Sequence, residues 1–432
     1  MSDNGLDFLQ KKTIRVLTAG QVLSGFGLGS TLSIGSLLAA HLSGSPAWAG
    51  SAATFSTLGA ATWAIPLARL AYARGRRVSL ATGAAIAITG AALVITAAAV
   101  QVFPLLLIAL FLLGAGSAVG LQARFAATDL PSNRSTGRDL SVVVWATTFG
   151  AVIGPNLFGP GEIVGHALGL PTMTGPFVFT ILAQVAATSV FWFGLRPDPL
   201  LVAKQLNAAK TKGKTSFATA FVTLRKYPLA AFAISAIALS HMVMVSVMSM
   251  TPIHMKGMGF DLVVVGFTIS LHIAGMYAFS PIFGWLSDKL GRVQTVILGQ
   301  LIYVVALGIA GFGQDDRTMV TVGLFLLGLG WSASTVGGAA LLTATLPVEE
   351  KTNVQGLSDS LMNLSGAFGG AVAGSILTAF MFLGVNLGAL IPVFLIGRQS
   401  SVPIADTNRR SVYSMYQYVF LVLAELPYVI IN

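Results

Sequence analysis

Cysteine is absent from this 432-residue chain, which removes disulfide frameworks, thiolate metal sites and cysteine nucleophiles. Charge is scarce as well: 9% of residues are Asp, Glu, Lys or Arg against 55% hydrophobic, with a mean hydropathy of +0.81. A soluble globule of that composition would have no charged shell. Acidic residues are the scarcer sign, 15 against 25 basic, for a formal net charge of +10. HExxH, GxSxG and the P-loop glycine-lysine signature are missing, so no familiar catalytic spacing nominates a soluble enzyme. No cofactor and no metal site is expected. A cleavable signal peptide is not evident, and Asp3, Asp7, Lys11, Lys12 and Arg15 ahead of the first apolar run predict a retained cytoplasmic end.

What the chain has instead is long apolar runs. They lie at roughly 16–40, 47–68, 78–100, 103–123, 141–160 and 174–195, then 228–253, 262–286, 294–313, 319–345, 357–381 and a poorer 384–397, each near the ~20 residues that a spanning helix needs. The prediction is an all-α polytopic membrane protein of about 12 transmembrane helices. Its parts are a cytoplasmic N-terminus (1–14), a first six-helix bundle (15–196), a basic cytoplasmic linker (197–227), a second bundle (228–397) and an atypical tail (398–432). With Met1 inside and the runs alternating, only Lys256 and Arg317 among the 25 basic residues fall outside. That positive-inside bias sets the orientation in a plasma (bacterial cytoplasmic) membrane. The basic excess is thereby topological: anionic lipids at the inner leaflet are the expected partners, and nucleic acid is not.

A shift of 216 residues, half the chain, pairs Gly83 with Gly299, Gly114 with Gly330, Leu130-Pro131 with Leu346-Pro347, Gly150-Ala151 with Gly366-Ala367, and Gly154 with Gly370. A constant register over so many positions indicates duplication, and hence two pseudo-symmetric bundles. The most informative stretch is Gly284-Trp-Leu-Ser-Asp288-Lys289-Leu-Gly291-Arg292, which is expected as a compact charged turn. It resembles G-x-L-x-D-[RK]-x-G-R-[RK], the signature loop of the major facilitator superfamily of secondary transporters, failing only at Val293. The same shift finds a decayed copy that keeps Leu70, Gly75 and Arg76, with Tyr72 at the aspartate position. The resemblance implies a gate in which Asp288 approaches the opposite half near Arg138 and Ser141. Any gate at the first copy would rest on Arg74, Arg76 and Arg77.

Gly150, Gly154, Pro155 and Gly159 form a small-residue strip with a bend in the fifth run; it resembles the glycine-proline motif of the superfamily's antiporters, although Ser141 stands where an earlier glycine is expected. Gly366 and Gly370 repeat the strip in the second half without the proline, as close packing alone requires. The superfamily's first, fourth, seventh and tenth helices line its cavity. That nominates Gln21, Ser24, Gln122, Arg124, Ser240, His241, Trp331 and Ser334 as candidate cavity residues, against plain packing for the serines and interfacial snorkelling for Arg124. Ionisable groups at depth are few: His241, His272 and Asp359 are the candidates for proton coupling, with helix capping the alternative for Asp359.

The resemblance implies a secondary active transporter of a small organic solute, working by alternating access, in its multidrug and metabolite efflux-like branch. Proton-coupled efflux by a monomer is the expectation. A metabolite importer by symport or uniport is the first alternative, and a non-transporting scaffold or receptor on the same fold the second. A membrane-embedded enzyme would need converging carboxylates or histidines at depth, which the chain barely supplies.

Overall fold

In a computed structural model, the described residues are 3–127, 129–130, 136–206, 224–346 and 348–399. They are helical throughout, with no strand among them. The first half comprises α1 (Asp3–Ser43), a short 3₁₀ turn (Pro46–Trp48), α2 (Ser51–Arg74), α3 (Arg76–Ala99), α4 (Phe103–Ala126), α5 (Thr136–Asn156), α6 (Phe158–Ala167) and α7 (Gly175–Gly194). A linker helix, α8 (Pro199–Leu206), follows. The second half comprises α9 (Pro228–Gly257), α10 (Leu262–Tyr277), α11 (Ser280–Lys289), α12 (Arg292–Phe312), α13 (Arg317–Thr345) and α14 (Val348–Gln399). Within α14, Met381 breaks the helical backbone and divides two spans. Counting α5 with α6 and α10 with α11 as single spans gives six crossings per half. Among the described residues, eight helical stretches are long and apolar enough by themselves to cross a membrane. Predicted residues 207–223 of the linker and 400–432 of the tail lie outside the described residues.

Three predicted boundaries shift, for physical reasons. The first helix begins at Asp3 rather than near residue 16 because its polar start has something to pack on: Leu9 is buried, and the Gln10 side-chain amide donates to the Ala127 carbonyl at 2.9 Å. The fifth run continues through Pro155 and breaks at Leu157, because Pro160 has no amide hydrogen to give the Asn156 carbonyl and its ring crowds that carbonyl. The expected charged turn at 284–292 is mostly helix, with Gly284, Asp288 and Lys289 all on α11 and the direction changing only at Leu290 and Gly291.

Each half has a core of its own, and a third, larger cluster carries Ala49, Ala53 and Ala151 of the first half into the second. In the first, α3 packs on α4, α2 on α4, and α1 on α5 and α7; in the second, α12 packs on α13 and α9 on α14. Close approach is built with small residues in matching places. A Cβ on Gly59 would collide with the Phe111 carbonyl across the α2/α4 contact, and one on Gly275, 216 residues later, would meet the Phe325 carbonyl across α10/α13. Because successive spans alternate, the turns at Gly75 and Gly291 fall at one end, hereafter the basic end, and those at Gly44 and Gly259 at the opposite end.

Candidate functional site

The halves meet differently at the two ends. At the opposite end, α2 lies against α14: the Thr54 hydroxyl donates to the Ala367 carbonyl at 3.0 Å, and a Cβ on Gly50 would overlap the Gly370 carbonyl. Across the bundle α5 lies against α10. There the Ser270 hydroxyl donates to the Val152 carbonyl at 2.6 Å, and the Asn156 amide donates to Ser270 Oγ at 2.7 Å. A Cβ on Gly266 would meet the Pro155 carbonyl at 2.5 Å. Two pairs of spans therefore seal this end by close backbone contact, α2 with α14 and α5 with α10.

Toward the basic end the tie is electrostatic. Arg124, in the last turn of α4, places Nη2 at 2.8 and 2.7 Å from the two carboxylate oxygens of Asp359 on α14. Their side chains are 26% and 24% exposed, so the pair is half-buried and still reachable by water. Arg124 therefore reaches inward to the other half rather than snorkelling outward. Asp359 sits a full turn and more inside α14, beyond the first turn where a capping carboxylate acts.

Two turns further along α14 from Asp359 comes Gly366, and the imidazole of His241 leans on it: a Cβ there would meet His241 Cδ2 at 2.7 Å and Nε2 at 3.0 Å. The Trp331 indole donates to His241 Nδ1 at 3.1 Å. An indole nitrogen only donates, so Nδ1 is the acceptor and a neutral His241 carries its hydrogen on Nε2. That buried Nε2 has no hydrogen-bond partner among the described residues. Tyr277, the last residue of α10, stands edge-on to Trp331 with ring centroids 5.6 Å apart.

Most of the other nominated residues spend their polar groups on packing, whereas the Ser24 hydroxyl and His272 Nε2 are buried without a hydrogen-bond partner among the described residues. Gln122 accepts from the Ser79 hydroxyl at 3.1 Å and donates to the Ala64 carbonyl at 3.2 Å. The Gln300 amide donates to Ser334 Oγ at 2.8 Å and Ser240 Oγ at 3.2 Å inside the second half, and Tyr303 donates to the Ser240 carbonyl. Gln21 bridges α1 to α4 and α5 through the Gly120 carbonyl and Thr147 Oγ1. Ser24 is buried, with its carbonyl receiving the Gln184 amide. His272 is fully buried, and its Nδ1 donates to the Leu324 carbonyl at 2.7 Å. Gly150 packs on the α1 backbone at Val22, while Gly154 and Pro155 are buried beside the break and Gly159 makes only ordinary contact with Val263.

The signature-loop residues divide by copy. Asp288, Lys289 and Arg292 are exposed, and among the described residues Asp288 has no polar partner; the side chains of Arg138 and Ser141, its expected neighbours, lie outside the described residues. In the first copy Arg74 is exposed, Arg76 makes a two-point ion pair with Asp129 at 2.8 and 3.0 Å, and the Arg77 amide donates to Asp198 Oδ2 at 2.8 Å. Burial raises the Asp129 carboxyl above its usual range, against the opposing pull of the Arg76 guanidinium. Asp198 also accepts from the Leu200 and Leu201 amides, so one carboxylate caps α3 and α8 together. Lys204 docks α8 further, over the Tyr72 ring and onto its carbonyl. Neither Asp129 nor Asp198 was nominated from the sequence. The signal was there: both are among very few acids in a chain whose loops at this end are basic.

Comparison with known proteins agrees with this architecture. The Major Facilitator Superfamily model matches residues 17–276 and 262–403. The chain is 36% identical over 392 residues to the uncharacterized MFS-type transporter YdeG of Bacillus subtilis (strain 168), covering 90% of this chain and 91% of that one. It is 35% identical over 394 residues to YddS of the same organism, another uncharacterized MFS-type transporter, with 90% of each covered. Among solved structures, the crystal structure of an auto-inhibited POT family peptide transporter superposes with a TM-score of 0.65 at 13% identity, covering 92% of this chain and 98% of that one. With family model, relatives and paired six-span architecture in agreement, the chain belongs to the major facilitator superfamily.

Proposed function

We propose that this membrane transporter couples the movement of a small organic solute to protons, exporting the solute, with the Arg124–Asp359 pair as the link between proton and conformation. The observation that carries this is the pair itself: a water-reachable carboxylate and guanidinium, one from each half, joined toward the basic end, away from the backbone contacts at the opposite end. Protonating Asp359 removes the attraction and frees the halves to part at the basic end; deprotonation re-forms it. A ligand or proton shifts such an equilibrium only by what it gains in one state over the other. A cross-half ion pair supplies that difference.

The histidines are weaker candidates. His272 is sealed against Leu324, and His241 already accepts from Trp331. The packed glycine-proline stretch at Gly150 to Pro155, which resembles that of antiporters, supports export over import. The boundaries proposed are bundles at 15–196 and 228–397, joined by the 197–227 linker, in a bacterial cytoplasmic membrane with the N-terminus and basic end inside, facing anionic lipid. The protein acts as a monomer. In this orientation the end sealed by backbone contact faces outward and the ion-paired end faces inward.

The test is movement of labelled solutes in proteoliposomes under an imposed pH gradient. Solute accumulation driven by the gradient supports the reading. Movement indifferent to the gradient returns the protein to uniport, and no movement of any solute, with the protein folded and inserted, contradicts transport.

A further inference from the structure

The stretch between the ion pair and the histidine has its own chemistry. Asp359 and Gly366 are seven residues apart on α14, two turns and thus on one face, separated by about 10 Å of helix rise. At one end of this interval is the Arg124 guanidinium. At the other are three rings in series: His241 against Gly366, Trp331 bonded to His241, and Tyr277 edge-on to Trp331. The His241 Nε2 hydrogen is a buried donor without a partner, and a buried donor left unmade costs about 1–3 kcal/mol until something accepts from it.

We propose that this interval is a binding site for a planar organic anion of one or two fused rings. Its ring stacks on Trp331 and Tyr277 and its acidic group takes Arg124 in exchange for Asp359; a ring that also carries an acceptor atom gains a further bond from His241 Nε2. His241 Nε2 and Arg124 present donors, the one carboxylate at the site among the described residues is already paired, and the aromatic walls favour flat apolar surface. The assignment rests on the transport reading above and sharpens it, because the solute and Asp359 compete for one guanidinium. Anion binding at Arg124 and proton binding at Asp359 then help each other, which is the linkage of symport, so the assignment rests on the proton coupling proposed above and not on the export direction.

Isothermal titration of the purified full-length protein with three probes of one shape separates the possibilities: 2-naphthoate, 2-naphthylmethanol and 2-naphthylmethylammonium. The anion is expected to bind at least about tenfold more tightly than the other two, the worth of a charge-assisted hydrogen bond. Asp359→Asn should tighten naphthoate severalfold by releasing Arg124. The charge-neutral pair Arg124→Gln with Asp359→Asn, which leaves no unpaired charge to disturb folding, should weaken it about tenfold. Trp331→Leu should weaken all three probes alike.

Tightest binding of the ammonium, loss of naphthoate binding in Asp359→Asn, wild-type naphthoate affinity in the neutral pair, or no binding of any probe overturns the assignment. A protein that moves solutes and protons in vesicles but shows no anion preference sinks this assignment and leaves transport standing. A folded protein that moves nothing sinks the transport reading itself.

Discussion

Gly75 and Gly291 hold the same backbone conformation 216 residues apart, with φ 91° and ψ 167° at one and φ 110° and ψ 153° at the other. Each joins two helices through a turn that a side chain resists. The copies differ in what surrounds them: a Cβ at Gly75 would also land on the Asp198 carboxylate that caps α3 and α8. Gly291→Ala should therefore cost about 1–2 kcal/mol from backbone strain, visible as a lower apparent Tm in detergent. Gly75→Ala should cost more and speed hydrogen exchange in residues 199–206. Equal losses, with α8 unaffected, would mean that Asp198 does not hold the linker helix.

The seal at the end opposite the signature loops depends on Gly50 meeting the Gly370 carbonyl. Gly50→Val forces α2 and α14 apart, and overpacking of about 1–3 kcal/mol corresponds to roughly tenfold in the open population. Because the chain lacks cysteine, a single Ala53→Cys reporter, buried at this contact, reads it directly. Maleimide labelling of the reporter should accelerate about tenfold in the valine background; an unchanged rate would show that the contact does not limit access.

Arg124→Gln leaves Asp359 without its guanidinium and should lower stability by about 1–3 kcal/mol. Asp359→Asn added to it should restore most of the loss, giving a coupling energy of about 0.5–3 kcal/mol in a double-mutant cycle. Strictly additive losses, read from apparent Tm, would show that the two side chains do not interact.

His272 donates through Nδ1 to Leu324 from a fully buried position. An asparagine amide can reproduce that donor, so His272→Asn should keep the pH dependence of transport while altering stability modestly. A flattened pH profile in this variant would reassign proton coupling to His272.

Much of the fold was legible because its determinants are local or periodic. Apolar run length marks spans, Pro155 and Pro160 mark the interrupted fifth span, and the recurrence of Gly75 at Gly291 marks both the duplication and two left-handed turns. Helix ends were less legible: α1 starts at Asp3 and Asp288 stands on a helix because tertiary contacts and caps extend regular structure past the apolar run. The site was legible only as a set of residues. Arg124 and Asp359 were each visible as rare charges at depth, yet nothing local pairs residues 235 positions apart in different halves. The same holds for Trp331 and His241, 90 positions apart. Gln122, Ser240 and Ser334 looked like cavity residues because type and helix number do not tell which face a side chain takes.

The central claim is that Asp359 carries the proton that releases the two halves, and the most direct test separates exchange from net transport. In proteoliposomes, Asp359→Asn should retain solute counterflow, which needs only alternating access, and lose accumulation driven by a pH gradient. Gradient-driven accumulation at wild-type rates in Asp359→Asn would contradict the account.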